Sequence, residues 1–259
     1  MKLSYTAMKT QMILILLGIL GQFSAAKAGD SDAREIVRKA ETKFNGEQSS
    51  YSEMILTIVR PAYERRIEFK TWAEQEGNSL TLITAPAKEK GQSFLKSGNN
   101  LWSWNPTIQR LIKLPPSMMA QGWMGSDYSN DDILRESSLV RDFTHHLKSE
   151  ETIDGYPCYV VELLPLENSD VLWGKIVLWI TKDSFLELQS EYYDEEGFRV
   201  KTHRAHTLKT FDQRLLPSVM EIIPADEPGS KTLVSIQKMQ FNIPMAPNFF
   251  SQQNMKQIR

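Results

Sequence analysis

The chain has 259 residues, 41% hydrophobic and 24% charged, with 30 Lys and Arg against 32 Asp and Glu. That slightly acidic balance argues against a nucleic-acid surface and gives no reason to expect adhesion to anionic lipid. The single cysteine, Cys158, excludes an internal disulfide, so stability must come from an ordinary core, which a chain of this length can bury.

The first 28 residues set Lys2 and Lys9 ahead of the apolar run Met12 to Leu20 and end on the small-x-small triplet Ala26-Lys27-Ala28, which predicts a secretory signal peptide. The apolar run is nine residues long, whereas a spanning helix needs about 20. No cysteine lies near the expected cut to accept a lipoprotein anchor. The expectation is a soluble exported protein starting near Gly29 or Asp30, folded as one large β-rich domain or two smaller ones. Losing Lys2, Lys9 and Lys27 with the leader leaves 27 basic against 32 acidic side chains, a net charge near −5.

Asp30, Ser31 and Asp32 precede Ile36, Val37, Ala40 and Phe44, an apolar stripe at helical spacing that closes at Asn45-Gly46. From there the period drops to two. Residues 50–60 and 63–73 alternate apolar with polar side chains across the turn Pro61-Ala62, and further strands are predicted at 79–84, 92–97, 101–105 and 108–113. After a central interruption they resume at 140–149, 157–164, 173–181, 184–192, 198–209, 214–222 and 231–241. Gly98-Asn99-Asn100, Asp154-Gly155, Asp194 to Gly197 and Asp226 to Gly229 supply turn chemistry at the joints. The pattern predicts a mainly β (α+β) chain of about 11–13 short antiparallel strands with few helices, and a sheet of that size must curl, split or close.

The interruption is Pro115 to Glu136, PPSMMAQGWMGSDYSNDDILRE, and an ordered loop of that length is usually functional. Asp127-x-Ser129-x-Asp131 resembles the start of a calcium loop, but its sixth and twelfth positions are Asp132 and Ser138 rather than glycine and glutamate. Adjacent Asp131 and Asp132 diverge on any regular element, so they cannot flank one reacting atom. Instead Ser129 and Asp132 suit a capping box for a short helix through Ile133, Leu134 and Arg135, with the acids at its positive end. Gly122 and Gly125 free the backbone on either side of Trp123-Met124. The four histidines, His145, His146, His203 and His206, lie on predicted strands at spacings that point neighbours to opposite faces, so no metal or cofactor is expected. No G-x-S-x-G, phosphate-cradling glycine loop or Cys–His arrangement occurs, and nothing in the chain asks for an enzyme.

The runs Lys90-Gly91-Gln92-Ser93-Phe94-Leu95, Asn100-Leu101-Trp102-Ser103-Trp104-Asn105-Pro106 and Trp123-Met124-Gly125-Ser126-Asp127-Tyr128-Ser129, with Arg60-Pro61 early and Pro247-Asn248-Phe249-Phe250-Ser251 late, resemble the outer-membrane lipoprotein-sorting proteins of the LolA-like superfamily. The resemblance spans nearly the whole expected mature chain and implies a periplasmic protein in which residues 29–259 form a single LolA-like domain. It implies a strongly curved, incomplete antiparallel barrel with a few helices covering the concave face, and an apolar cavity between them that receives acyl chains. It also implies partners: lipoprotein or lipid acyl chains, an inner-membrane transporter and an outer-membrane acceptor. In that family an arginine near the helical cover helps to control opening, and Arg60 stands at the matching position here; an ordinary strand-end charge is the plainer alternative.

The expected acyl seat is Met54, Leu56, Ile58, Phe69, Phe94, Trp102 and Trp104, and the expected flap is Arg60, Met118, Met119, Trp123, Met124 and Tyr128. Methionine suits surfaces that must fit variable apolar partners, and tryptophan covers much area with a polar handle. Two functions follow. One is a periplasmic carrier or chaperone for acyl chains of lipoproteins or lipids. The other is a non-enzymatic accessory module that docks on a membrane exporter or envelope complex through Trp123-Met124.

Overall fold

The computed structural model describes residues 26–45, 48–75, 77–98, 100–130, 132, 138–167, 169 and 171–259. The expected leader up to residue 25, Asp131, and the helix expected through Ile133, Leu134 and Arg135 lie outside the described residues. Helix α1 spans Ala26–Asn45 and so begins upstream of the acidic cap expected at residues 30–32. Alanine and lysine are strong helix formers, and Ala26-Lys27-Ala28 simply extends the turn.

The strands are β1 (Ser49–Arg60), β2 (Tyr63–Glu74), β3 (Ser79–Ala85), β4 (Ser93–Ser97), β5 (Asn100–Asn105) and β6 (Arg110–Lys113), then β7 (Phe143–Ile153), β8 (Tyr156–Pro165), β9 (Lys175–Thr181), β10 (Glu187–Tyr193), β11 (Arg199–Phe211), β12 (Arg214–Pro224) and β13 (Lys231–Phe241). Together they make one 13-stranded antiparallel sheet in the order β6-β5-β4-β3-β2-β1-β13-β12-β11-β10-β9-β8-β7. The first six strands walk outward from β1 and the last seven walk back to it, so the two meanders meet where β1 pairs β13. The sheet does not close on itself, because β6 and β7 are its two edges. This is the incomplete curved barrel that the resemblance implies, and of the outcomes the alternation left open the sheet takes the curled, unclosed one.

That order has a direct consequence for the central interruption. The chain leaves β6 at one edge and must re-enter at β7 on the other, so the intervening segment has to cross a face of the sheet. A second element, α1, lies on the same side: Ala33, Ile36 and Val37 are buried against Phe143, Val161, Leu163, Ile176, Leu178 and Ile180 of β7 to β9. Their spacing of three and four is the apolar stripe read from the sequence. A short C-terminal helix, α2 (Gln252–Gln257), caps on Ser251 and packs elsewhere, against Leu80 and Leu95 through Met255. None of the described helices is long and apolar enough to cross a membrane.

Candidate functional site

The crossing segment is a compact clip. After a 3-10 turn at Pro116–Met118, Gly122 bridges Ser129, and Trp123 N–H donates to the Tyr128 carbonyl at 2.6 Å. Between them the backbone reverses through Met124 and Gly125, both with positive φ (54° and 77°). Glycine is needed twice: at 125 for that conformation, and at 122 because a Cβ would fall against the Ser126 carbonyl oxygen. Buried Asn130 closes the base, its N–H on the Gln121 carbonyl and its amide on the Met118 carbonyl, both at 2.9 Å. Held by these backbone bonds, the clip aims one large apolar side chain at the sheet.

That side chain is Trp123, only 2% exposed. Its ring meets Phe69 (centroids 5.5 Å apart, 72°) and Phe94 (5.4 Å, 68°) edge to face, the favoured aromatic geometry. Leu56, Ile58, Ile67, Ile83, Leu101 and Val234 complete the buried cluster, with Met54, Leu114, Met119, Met124 and Tyr128 at its margin. Register explains the grouping. Leu56 lies between Ile67 on β2 and Val234 on β13, and Met54 lies opposite Phe69, so alternate residues of three neighbouring strands share one face.

Of the seven residues expected to line the seat, Met54, Leu56, Ile58, Phe69 and Phe94 come together. Trp102 and Trp104 do not. Leu101 takes the inward position on β5, and strand alternation then turns Trp102 and Trp104 to the opposite face, where they pack with Leu80, Leu95, Leu111, Phe249, Phe250, Met255 and Ile258. Of the flap residues, Met119, Trp123, Met124 and Tyr128 reach the cluster, while Met118 serves through its carbonyl. Of two cavities among the described residues, one of about 110 Å³ is lined by Met54 and Phe69 together with Glu53, Arg66, Glu68 and Lys70, and one of about 290 Å³ lies beside Asn248, Gln253 and Gln257; Trp123 lines neither.

Charge clamps the clip to the sheet at three points. Arg60, at the end of β1, grips Asp127 with both terminal nitrogens, Nη2 to Oδ1 at 2.9 Å and Nη1 to Oδ2 at 3.1 Å. Thr232 of β13 donates its hydroxyl to Asp127 Oδ2 at 2.6 Å and accepts the Asp127 N–H at 3.0 Å. Both ion-pair side chains are largely withdrawn from water, at 16% and 10% exposure. Arg65 donates to the Met124 carbonyl at 2.8 Å and to Glu89 at 3.1 Å. Lys201 of β11 meets Asp132 at 2.6 Å, again nearly buried, with Trp173 and Tyr192 rings 4.8 and 5.1 Å from its ammonium.

Asp132 also shows the capping box: Ser129 N–H and hydroxyl donate to its Oδ2 at 2.7 and 2.8 Å, and its own N–H returns to the Ser129 hydroxyl at 3.0 Å. Burial pushes the Asp132 carboxyl up, but the charges of Lys201 and His203 and these hydrogen bonds outweigh it and hold the group below the ordinary carboxylate value.

Thr232, Arg65, Glu89 and Lys201 were not among the expected site residues. Their partners stand 24 to 105 positions away in sequence, so no local pattern could pair them. A lysine at an inward position of β11 is the one signal that could have been followed. Two of the histidines bond close by in sequence, His145 to the Leu139 carbonyl and His206 to the Thr207 hydroxyl. The thiol of buried Cys158 is pushed up chiefly by burial, which keeps it protonated and unreactive. Among the described residues no group of three or more His, Cys, Asp and Glu could hold a metal ion.

Solved structures share this architecture. A DUF1329 family protein from Desulfovibrio piger is 23% identical with a TM-score of 0.78, covering 88% of this chain and 99% of its own. A domain from Vibrio parahaemolyticus named for outer membrane lipoprotein sorting is 19% identical with a TM-score of 0.78 over the same shares. A LolA superfamily protein from Nitrosomonas europaea is 24% identical with a TM-score of 0.72, covering 85% of this chain and 98% of its own. No curated protein matches the sequence. A family model described as "Uncharacterized protein" matches residues 75–257, more than half of the chain. The chain therefore belongs to that family, and its fold is the one these three structures share.

Proposed function

We propose that the protein is a periplasmic carrier of acyl chains, borne by lipoproteins or by lipids, and that the face of Met54, Leu56, Ile58, Phe69 and Phe94 is the acyl seat with the clip as its gate. The observation that carries this reading is the buried Trp123. A large apolar side chain, presented by a loop rather than by the sheet, occupies an apolar face flanked by ion pairs. Burying an acyl chain gains ~0.8 kcal/mol per CH₂, enough for transport through water without bond chemistry.

The plug is imperfect in a way that suits release. Trp123 Nε1 is buried without a hydrogen-bond partner among the described residues, and such a donor costs about 1–3 kcal/mol. An apolar chain in its place carries no such cost. Trp123 faces inward, so in this conformation its indole is not presented to a docking partner, which favours the carrier over the accessory module.

The test is titration of purified protein with a fluorescent acyl probe, beside native mass spectrometry of protein taken from its own envelope. The expected result is uptake by the wild type, strengthened in Trp123→Ala, where the plug no longer competes for the seat. A wild type that takes up no probe and leaves its envelope free of acyl-bearing molecules would sink the carrier reading, even if Trp123→Ala bound probe, because an engineered cavity binds apolar molecules by itself.

A further inference from the structure

Resting on the carrier reading, the geometry points to an anionic amphiphile as the ligand. Its charged head takes the place of Asp127 on Arg60 and Thr232, and its acyl chain takes the place of Trp123 on Phe69 and Phe94.

The clip already has the form of such a ligand. Within five residues it offers a buried apolar group, Trp123, and a carboxylate, Asp127, and each fills a matching place on the sheet. The carboxylate place is built for an anion. Two guanidinium nitrogens of Arg60 and the Thr232 hydroxyl converge on Asp127 Oδ1 and Oδ2, the fork geometry that matches carboxylate and phosphate. Arg60 is tied down by its own contacts, with Nη1 also donating to the Val59 carbonyl at 2.9 Å and lying 3.4 Å from the Lys231 carbonyl.

Opening the clip takes Asp127 from Arg60 and Asp132 from Lys201, while Arg65 keeps Glu89. Glu227 lies 3.9 Å from Arg60 Nε and is 55% exposed, too far and too wet to replace Asp127. A neutral amphiphile would leave the two cations without counter-charge on a face largely shielded from water, which is strongly disfavoured. An anionic head restores the pairing of Arg60 as the clip leaves, while Lys201 keeps the Trp173 and Tyr192 rings beside its ammonium. The same chemistry selects against a neutral head of equal chain length.

The experiment is calorimetric titration of the full chain, wild type and variants, with decanoate, decan-1-ol, acetate and inorganic phosphate. Expected is decanoate bound at least about tenfold more tightly than decan-1-ol, the discrimination of a lost charge-assisted pair, with the small anions weaker still. Asp127→Asn removes the internal competitor and tightens decanoate. Arg60→Gln collapses the preference over decan-1-ol to about twofold or less, while Arg60→Lys keeps part of it; circular dichroism confirms that each variant is folded.

Equal binding of decanoate and decan-1-ol by the wild type overturns the inference but leaves the carrier reading standing. So does a preference that persists in folded Arg60→Gln. Acetate or phosphate binding as tightly as decanoate identifies an anion site without an acyl seat, which overturns the inference too. Binding of neither decanoate nor decan-1-ol, in the wild type or in Asp127→Asn, removes the carrier reading together with it.

Discussion

Strands β3 to β5 are covered on both faces, and the two covers are attached by different physics. On one face the clip places Trp123 on Phe69 and Phe94 and is clamped by Arg60–Asp127 and Lys201–Asp132. On the other, the C-terminal segment lays Phe249, Phe250, Met255 and Ile258 on Leu80, Leu95, Trp102 and Trp104. The Ser93 hydroxyl donates to the Met255 carbonyl at 2.6 Å and the Lys256 ammonium lies 5.4 Å from the centre of the Trp104 ring, while within the segment Asn254 donates to the Phe249 carbonyl at 2.8 Å and to its N-cap Ser251 at 3.2 Å. A charge clamp can be competed for by another ion. A cover held mainly by matched apolar surface has no such competitor, which sets the C-terminal segment apart from the clip, the proposed gate.

The comparison breaks first at its most buried residues. Met255, 1% exposed, belongs to the permanent cover, and Met255→Ala is expected to lower unfolding stability by ~2–5 kcal/mol in urea titration, with acyl uptake unchanged. Trp123→Ala should cost less despite the larger side chain. The ~3–5 kcal/mol expected for a buried Trp truncation is offset by the ~1–3 kcal/mol recovered when the unpartnered indole N–H is removed. The same titration reads both variants. If Trp123→Ala proved the more damaging and left uptake unaltered, the clip would be as structural as the C-terminal cover.

The two covers also differ in how much of them the sequence reveals. Strands β1, β2 and β13 are written in plain alternation, and turn residues such as Asp154-Gly155 mark the joints, because each is a local property of the backbone. The face is not local. Leu101-Trp102-Ser103-Trp104 shows two sets of side chains on opposite sides, but which set meets the clip depends on strands β3 and β4 beside it, and Trp102 and Trp104 lie on the face away from the other five expected seat residues. Helix α2 is missed for a simpler reason: QQNMKQ buries one residue, Met255, and a single apolar position has no period. The capping box of Ser129 and Asp132 was legible because it spans four residues. Its second bond, from Lys201 across 69 positions, was not.

That second bond allows the charged cover to be tested by pH. The Asp132 carboxyl is held below its ordinary value in the folded protein. A depressed carboxyl stabilises above its unfolded value, and that stabilisation is lost as pH falls through the folded value. The stability gap between the wild type and Asp132→Asn should therefore be full at neutral pH and close only below the ordinary carboxylate range. Met255→Ala, in the C-terminal cover, removes an apolar contact and should show a gap independent of pH over the same interval. A gap for Asp132→Asn that closed above that range would contradict the depressed carboxyl.

The smallest effect sharpens the claim about which charges matter. Glu227 also approaches Arg60, at 3.9 Å, yet it is 55% exposed where Asp127 is 10% exposed. An ion pair open to water is worth ~0–1 kcal/mol because solvent screens it and both side chains lose freedom in forming it. Glu227→Gln should then shift the unfolding midpoint by an amount equivalent to no more than about 0.5 kcal/mol and leave acyl uptake as it was. The clamp on Arg60 would in that case reside in the bidentate, shielded contact with Asp127. A Glu227→Gln effect above about 1 kcal/mol would mean that Arg60 shares its charge between two carboxylates, and that the clip can rise without leaving the guanidinium unpaired.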